Sequence, residues 1–312
     1  MLSRVAESLY WVSRYIERAE NVARIIEATY NFALDGAIEE AHEQWAPLIL
    51  SSGIEGDFSK KYGDNFSKEN VVHFLIFDED NVSSIWSCMK SARFNARALR
   101  PVISPEMWEE LNYIYHYLQQ VRLTTPSEEE LKLLFEKIIR FSHQFVGLTS
   151  RTILRDEGWR FIKMGRLLER ADQTSRVLDV KYFILLPSVD YVNTPYDDIQ
   201  WGSLLKSASA FEPYRRKHNS IEYDKIIDFL VLDKSFPRSI RFCVDHALEI
   251  VKEINKERPS EALRKTLELS KELENKTVHE IKFYGLHEYL DLIQQKLNDI
   301  GDAIYRDYFN LM

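Results

Sequence analysis

The sequence predicts an all-α protein, a helical bundle built from a tandem duplication of a unit of about 155 residues. Nearly every long segment has apolar residues at helical spacing, and no segment alternates apolar and polar residues as a half-exposed strand would. Glycine and proline are scarce, at 10 and 9 residues of 312, which suits long helices better than tight turns. Several phrases also recur in the same order in the two halves of the chain.

The helices are predicted in order from their apolar spacing and their start signals. An apolar stripe indicates the first helix: Leu9, Val12, Ile16, Ala19, Ala23 and Ile26. Further helices are predicted over six ranges: 84–100, 106–122, 128–148, 221–231, 239–256 and 260–300. Ser127 stands three residues before Glu130, as in a capping box that begins a helix. The polar stretch 51–70, which contains glycines and lacks periodicity, is predicted to be an exposed loop.

Three phrases recur at an offset of about 155 residues. They are SRYIERAENVARII at 13–26 with GRLLERADQTSRVL at 165–178, and the pairs that begin at Trp45 and Trp201 and at Phe74 and Phe229. A common order at three places predicts a duplication, with a first helical unit over 1–155 and a second over 156–312. The junction has no Pro- or Ser-rich linker, so we expect the two units to pack together as one body.

Composition and charge narrow the class of protein. The formal net charge is −8, which argues against nucleic acid as a partner because such proteins usually present a basic face. No apolar run approaches the roughly 20 residues that cross a bilayer, and no signal peptide is apparent, so we expect no membrane association. Two cysteines in a chain of this length fit a cytoplasmic location. Cys88 and Cys243 fall at equivalent positions of the two units and are interpreted as small buried residues.

The recurring phrase places charge on a helix that is otherwise apolar. On a helical wheel Arg14, Glu17 and Arg18 share one sector, with Arg24 at its edge, and apolar residues cover most of the remaining surface. The second copy places its charges in the same way: Arg166, Glu169, Arg170 and Arg176. A helix that is apolar nearly all round is usually covered nearly all round. The charged stripes are therefore predicted to be at least partly buried, where charges need partners.

Each stripe has one glutamate for about three arginines, and one carboxylate does not satisfy that many guanidinium groups. The surplus calls for acidic residues from other helices or for an anionic ligand. Three interpretations stay open: a structural ion-pair network, a pocket for an anion or substrate, and an ordinary solvated face. If the two units pack with pseudo-twofold symmetry, the two stripes face each other in one place.

The sequence offers few other candidates for a binding, catalytic or metal site. Arg93, Arg97 and Arg100 form a second arginine series, interpreted either as a surface face or as a further wall of the same pocket. No glycine-rich phosphate loop, nucleophile elbow or His-Glu-x-x-His motif appears. His279 and His287 have no further ligand in phase with them. The sequence therefore predicts no catalytic constellation, no metal site and no cofactor.

Taken together, several phrases resemble the Alpha-E family, which is named for its α-helices and an ER motif. They are LYWxxRYIERAE from Leu9, GRxLERAD from Gly165, SSI from Ser83, RxNARxxR from Arg93, WxxLN from Trp108, FLxxD from Phe229 and FPRS from Phe236. The resemblance covers essentially the whole chain. The family often has an acidic residue where this chain has Phe94, which removes one partner for the Arg93 series.

The resemblance implies a bacterial or archaeal protein encoded beside a circularly permuted ATP-grasp protein and a transglutaminase-like protein. ATP-grasp enzymes typically activate a carboxylate for attack by an amine, so such neighbours imply a system that makes or modifies amide bonds on peptides or amino acids. We therefore expect a non-catalytic helical partner of that system, which binds a partner protein or an anionic peptide or amino acid through its Arg and Glu stripes.

Two alternatives belong to other classes. The first is an enzyme of the same pathway that uses Glu17 or Glu169 as an acid or base with arginine clamps. Against it, a carboxylate among several arginines is expected to have a lowered pKa, which makes it a poor base near neutral pH. The second alternative is a structural homo-oligomer.

Overall fold

The computed structural model describes residues 2–34, 41–183, 195–256 and 258–310. Within these ranges the chain is all-helical, with fifteen α-helices, two π-helical turns and no strand. The helices are α1 (Ser3–Leu34), α2 (Ala41–Leu50), α3 (Glu55–Tyr62), α4 (Lys68–Ile76), α5 (Ile85–Ala98), α6 (Pro105–Arg122), α7 (Glu128–Thr152), α8 (Glu157–Phe183), α9 (Pro195–Ser207), α10 (Phe211–Lys217), α11 (Tyr223–Ile227), α12 (Ile240–Asn255), α13 (Glu261–Asn275), α14 (Val278–Tyr284) and α15 (Leu286–Ile304). The π-helical turns are Asp228–Leu232, which continues α11, and Tyr305–Phe309, which continues α15.

The predicted helix starts are confirmed where a side chain caps the first turn. Ser127 accepts a hydrogen bond from the Glu130 amide, and the Glu130 carboxylate accepts one from the Ser127 amide, which completes the capping box of α7. Ser84 at the start of α5 and Ser239 at the start of α12 each accept a hydrogen bond from the amide three residues later. Each cap satisfies an amide that would otherwise lack a partner at the helix end.

The range 260–300 is helical as predicted, but it holds three helices with two breaks between them. A second capping box, formed by Thr277 and Glu280, begins α14. Gly285 then adopts a φ of +104°, which a side chain rarely tolerates, and the chain turns there into α15. Apolar periodicity continues across both breaks, so the local caps and the glycine decide where the helices end.

The prediction of a loop over 51–70 was wrong for much of its length, since this range contains α3 and the start of α4. Phe58 is fully buried and its ring stacks on Phe66, with centroids 4.9 Å apart. The Phe58 ring also meets Phe74 edge to face at 5.2 Å. Burial of these three rings holds a short polar segment in helical form, which periodicity alone does not reveal.

Two long helices, α1 and α8, lie side by side at the centre of the fold. The other helices pack around them, with α5, α7 and α9 against α1 and with α2, α12 and α15 against α8. One cluster of buried apolar side chains includes residues from both predicted units. The boundary between those units, and their origin in a duplication, stay predictions. The two cysteines, Cys88 and Cys243, are free and buried.

None of the helices in the described ranges combines the length and the apolar character needed to cross a membrane.

The helices α1 and α8 come close together at Gly165. A β-carbon at this position would meet the Tyr10 carbonyl oxygen and lie 2.6 Å from the Ser13 hydroxyl. The absence of a side chain at Gly165 therefore lets the two backbones come close enough for the charged stripes to meet.

We expect Gly165→Ala to lower the free energy of unfolding by about 1–3 kcal/mol, because the added methyl group forces the central helices apart. Gly147 is a matched control, since it lies inside α7 with open space at its β-carbon position. Gly147→Ala is expected to be stabilising by about 0.5–1 kcal/mol through helix propensity alone. Urea titrations of both variants check this, and equal effects would contradict the close approach.

Candidate functional site

The arginines of the charged stripe on α1 pair with the glutamate of the stripe on α8. Glu169 is fully buried and accepts hydrogen bonds from Arg14 Nε at 2.7 Å and from Arg18 Nε at 2.6 Å. Arg18 Nη2 adds a second bond at 3.0 Å, so this guanidinium grips the carboxylate with two donors. Gln173, one turn later on α8, donates a further bond at 3.0 Å.

The glutamate of the α1 stripe pairs in the same manner with an arginine of the α8 stripe. Glu17 is 1% exposed and accepts bonds from Arg170 Nε at 2.8 Å and from Arg170 Nη2 at 2.9 Å. The two Glu-Arg motifs are therefore reciprocal partners: Arg18 bonds Glu169, and Arg170 bonds Glu17. The two stripes do face each other, as the sequence predicts for symmetric packing.

A third buried carboxylate, Glu20, extends the network. It accepts bonds from Arg24 Nε at 2.8 Å, from the Ser142 hydroxyl at 2.5 Å and from Arg238. Arg238 also donates to Asn21 Oδ1 at 3.0 Å and lies 3.4 Å from Glu17 Oε1. Arg238 therefore bridges the two carboxylates of α1 from the loop before α12.

The remaining two residues of the predicted site differ in their surroundings. Arg176 bonds Asp172 at 2.9 Å, one turn earlier on α8, and donates to the Ser52 carbonyl at 2.9 Å. Arg166 is different: its Nε is enclosed, and no hydrogen-bond or salt-bridge partner for it is found in the part of the chain that the structure describes. Among the described residues, seven of the eight predicted stripe residues thus have a hydrogen-bonded partner, and the Nε of Arg166 has none.

Burial and pairing shift the pKa values in opposite directions. Burial by itself favours neutral Glu169, but Arg18 and Arg14 more than offset this and lower the pKa of Glu169. Burial also opposes the charge of Arg18, and the Glu169 carboxylate reverses that and raises the pKa of Arg18. Arg166 lacks such a partner, and burial together with the nearby charge of Arg170 lowers the pKa of Arg166 to about 10.

The second arginine series lies apart from this network. Arg93 donates to Asn112 Oδ1 at 2.8 Å, and its guanidinium stacks over Tyr115 at 4.6 Å. Arg100 is exposed and lies over Trp108 at 5.5 Å, and Arg97 is exposed. Arg93 and Arg100, which follows the end of α5, contact side chains of α6, and Arg97 is exposed, so the structure does not bring the series to the paired stripes.

Sequence reasoning missed Arg238 as a member of the site, although FPRS was recognised as a family phrase. Arg238 lies 221 residues from Glu17, so no helical spacing connects them. At the corresponding place in the first half stands Ser83, about 155 residues earlier, whose hydroxyl accepts a weak bond from Arg18 Nη1 at 3.4 Å. An arginine in one half of the predicted duplication and a serine in the other is the sequence signal that could have found it.

A cavity of about 940 Å³ opens beside the network. Its wall contains more positive than negative side chains, with five cationic and three acidic residues: Arg170, Lys217, Lys234, Arg238 and Arg241, against Glu20, Asp228 and Asp233. Phe229 and Phe236 stack on each other at 4.5 Å and supply an apolar wall. Arg170, Arg238 and Glu20 belong both to the ion-pair network and to the cavity wall.

A second cluster joins α8 to α15 next to another cavity, of about 770 Å³. His287 Nδ1 donates to the buried Asp179 carboxylate at 2.7 Å, and the imidazole stacks on Tyr182 with centroids 4.1 Å apart. Asp291 lies 3.8 Å from His287 Nε2, and the three groups each bring one ligand atom within 4.8 Å of the others. Sequence reasoning missed this group because Asp179 and His287 are 108 residues apart.

The paired Glu-Arg phrases are the feature that the comparison with known families recognises. The family model described as "a predicted alpha-helical domain with a conserved ER motif" matches residues 1–309. The chain belongs to the Alpha-E family. In this Alpha-E chain the ER motif occurs twice, and the structure shows that each copy supplies the ionic partner of the other.

The relatives of this Alpha-E chain carry additional sequence. Uncharacterised proteins of Mycobacterium bovis and Mycobacterium tuberculosis are 20% identical to it over 327 residues. The match covers 96% of this chain and 36% of each relative, so the chain spans about a third of the length of the curated relatives it matches. No solved structure matches the chain.

We expect Glu169→Gln to destabilise the Alpha-E fold by about 3–5 kcal/mol, because Arg14 and Arg18 then lose the buried carboxylate they share. The melting temperature is expected to fall on the order of 10 °C. Asp57→Asn serves as the control, since Asp57 pairs with Lys60 at an exposed site and its loss is expected to change stability by no more than about 0.5 kcal/mol. An unchanged melting temperature of Glu169→Gln would show that the paired motif is not needed for stability.

The Asp179–His287 pair predicts a pH-dependent contribution to stability. Burial raises the pKa of Asp179; it opposes the charge of His287, but the Asp179 carboxylate raises the pKa of His287 above its ordinary value of 6.5. The raised pKa of His287 stabilises the folded state below about pH 6.5, and this contribution is lost as the pH rises through the folded pKa of His287.

Melting temperatures at about pH 5.5 and pH 8 test this, with His287→Gln against His116→Gln, which removes an exposed histidine. We expect His287→Gln to cost more at pH 5.5 than at pH 8, because the lost ion pair is charged at the lower pH. His116→Gln is expected to have the same small effect at both. An equal loss at both pH values for His287→Gln contradicts the assignment.

Proposed function

We propose that this chain is a non-catalytic binding module that holds an anionic peptide or amino acid in the cavity beside the paired ER motifs. We further propose that it acts as a helical partner of an amide-bond-forming or peptide-modifying system of the ATP-grasp and transglutaminase-like type. The observation that carries the ligand proposal is an excess of buried positive charge next to an open cavity.

The excess is visible when the connected side chains are counted. Six guanidinium groups, those of Arg14, Arg18, Arg24, Arg166, Arg170 and Arg238, lie around three carboxylates, those of Glu17, Glu20 and Glu169. Burial lowers the pKa of Arg238 even though Glu20 and Glu17 oppose this. Buried cations in excess of their carboxylates destabilise the protein unless an anion compensates them.

The cavity has the size and lining of a ligand site. Its volume of about 940 Å³ lies at the upper end of the range for small-molecule sites, roughly 300–1,000 Å³. Arg241, in its wall, lies 3.5 Å from Asp245 and 3.8 Å from Glu274, so its guanidinium is held only loosely. A carboxylate-bearing chain with apolar groups fits this combination of cations with the Phe229 and Phe236 rings.

The same geometry argues against the ER glutamates as catalytic bases. The pKa of Glu169 is lowered by Arg18 and Arg14, so this carboxylate does not accept a proton near neutral pH. Glu17 is held by two bonds from Arg170, which leaves the carboxylate engaged. These contacts support a binding role over the enzyme alternative.

The partner role is supported by the relatives. In the mycobacterial proteins the matching segment is part of a polypeptide about three times longer, so there a domain of this kind works next to other protein segments. We propose that this chain likewise works against an ATP-grasp-type or transglutaminase-like protein. The proposed duplication is supported by the reciprocal pairing of the two ER motifs.

Ligand binding is tested with triglutamate, which is anionic, against triglutamine, which has the same length but neutral side chains. We expect triglutamate to raise the melting temperature with increasing concentration, because a ligand that binds only the folded state stabilises it. Arg241→Gln in the cavity wall is expected to weaken this binding about 10-fold or more. Arg264→Gln, which changes an exposed arginine of α13, is the control and is expected to bind as the wild type does.

The partner role is tested separately by size-exclusion chromatography with the ATP-grasp-type and transglutaminase-like proteins. Co-elution in a complex supports it. If triglutamate has no more effect than triglutamine and neither protein co-elutes, the proposed function is wrong; self-association alone would favour the homo-oligomer.

A further inference from the structure

The charged side chains in the wall of the cavity beside the ER motifs divide into occupied groups and free groups. Five of the eight are held by short bonds to other side chains of the protein, and they are Arg170, Lys217, Arg238, Glu20 and Asp233. The other three are Asp228, Lys234 and Arg241. These three are the groups that a ligand in the cavity can meet without breaking a bond of the protein.

Each of the three free groups is open to a ligand for a reason visible in its surroundings. Asp228 begins the π-helical turn before α12 and is partly exposed, and its carboxylate has no hydrogen bond or ion pair within the described ranges. Lys234 is exposed and likewise forms no ion pair there. Arg241 approaches only Asp245 at 3.5 Å and Glu274 at 3.8 Å, longer than the roughly 2.7–2.9 Å of a charge-assisted bond.

The charge of Asp228 acts on the imidazole of His218, but the imidazole does not neutralise it. Burial, with the charges of Lys217 and Lys225, lowers the pKa of His218, although Asp228 and Asp233 oppose this. His218 is therefore neutral near pH 7, and the Asp228 carboxylate stays without a counter-ion among the described residues.

The three free groups are not needed to build the loop that carries them. The loop before α12 resembles the loop before α5, since in each the capping serine, Ser239 or Ser84, bonds the carbonyl of an aspartate six residues earlier. Where the second half has Asp228, Lys234 and Arg241, the matching positions of the first half hold His73, Glu79 and Trp86. The loop keeps its internal bonds while these charges differ, which fits a role outside folding.

We propose that the cavity takes an acidic amino acid or a short acidic peptide with a free ammonium group, which Asp228 receives while Lys234 and Arg241 receive carboxylates. This inference rests on the proposed function and narrows its ligand class. One free carboxylate and two free cations complement one ammonium and two carboxylates, the charges that L-glutamate carries at pH 7.

The free groups lie around an apolar surface in the same wall. Asp228 directly precedes Phe229, Lys234 lies two residues before Phe236, and these two rings stack with centroids 4.5 Å apart. Arg241 joins them from the first turn of α12, with 21% of its side chain exposed. The methylene groups of a glutamate-like ligand therefore have rings to pack against, with partners for both signs of charge beside them.

The decisive experiment uses calorimetry with ligands that carry or lack the ammonium group: L-glutamate against N-acetylglutamate, and triglutamate against N-acetyltriglutamate. We expect the wild type to bind the free forms about 10- to 100-fold more tightly, because acetylation removes the charge-assisted bond to Asp228. Asp228→Asn is expected to remove most of this preference, since a neutral amide no longer attracts the ammonium group.

Two further variants separate the roles of the free groups. Lys234→Gln is expected to weaken the free and the acetylated forms alike, by about 10-fold, and to keep the preference for the ammonium group. Asp57→Asn, which changes an exposed carboxylate of α3, is expected to bind all four ligands as the wild type does. Asp228→Asn is expected to keep the melting temperature of the unliganded protein within about 2 °C, so that a lost preference is not a loss of folding.

The outcomes separate this inference from the proposed function. If the wild type binds free and acetylated forms equally well, or if the preference survives in Asp228→Asn, the assignment of Asp228 is wrong while the cavity remains a site for anionic ligands. If the wild type binds none of the four ligands, the ligand part of the proposed function fails, and this inference fails with it.

Discussion

The fold depends on an exchange of ion pairs between its two central helices. Glu17 of α1 is held by Arg170 of α8, and Glu169 of α8 is held by Arg14 and Arg18 of α1. Neither glutamate has a sufficient partner on its own helix, so each helix is stable in the core only when the other is present. The close approach at Gly165 permits the exchange, and the surrounding helices cover it.

The exchange is not symmetric, because Arg14 and Arg18 both bond Glu169, whereas only Arg170 of the equivalent pair bonds Glu17. Arg238 joins Glu17 and Glu20 from the loop before α12, and that loop also forms part of the cavity wall. Arg170, Arg238 and Glu20 thus belong both to the ion-pair network and to the cavity wall.

Prediction from the sequence succeeded where the information is local. Residues three and four positions apart define the apolar stripe of α1, the capping box of α7 and the charged stripes of both helices. It failed over 51–70, where burial of Phe58 against Phe66 and Phe74 makes short helices from a polar stretch. It also failed to divide 260–300, where Thr277 and Gly285 interrupt a continuous apolar pattern.

The sequence by itself determined that the protein is helical, that its two ER phrases lie on buried faces, and that arginines outnumber glutamates there. These are properties of residue type and helical period. Only the tertiary structure decided which arginine meets which carboxylate, because the partners lie 151 to 221 residues apart and their contacts depend on how the helices cross. It alone shows that Arg238 joins the network and that, among the described residues, the Arg166 Nε has no hydrogen-bond partner.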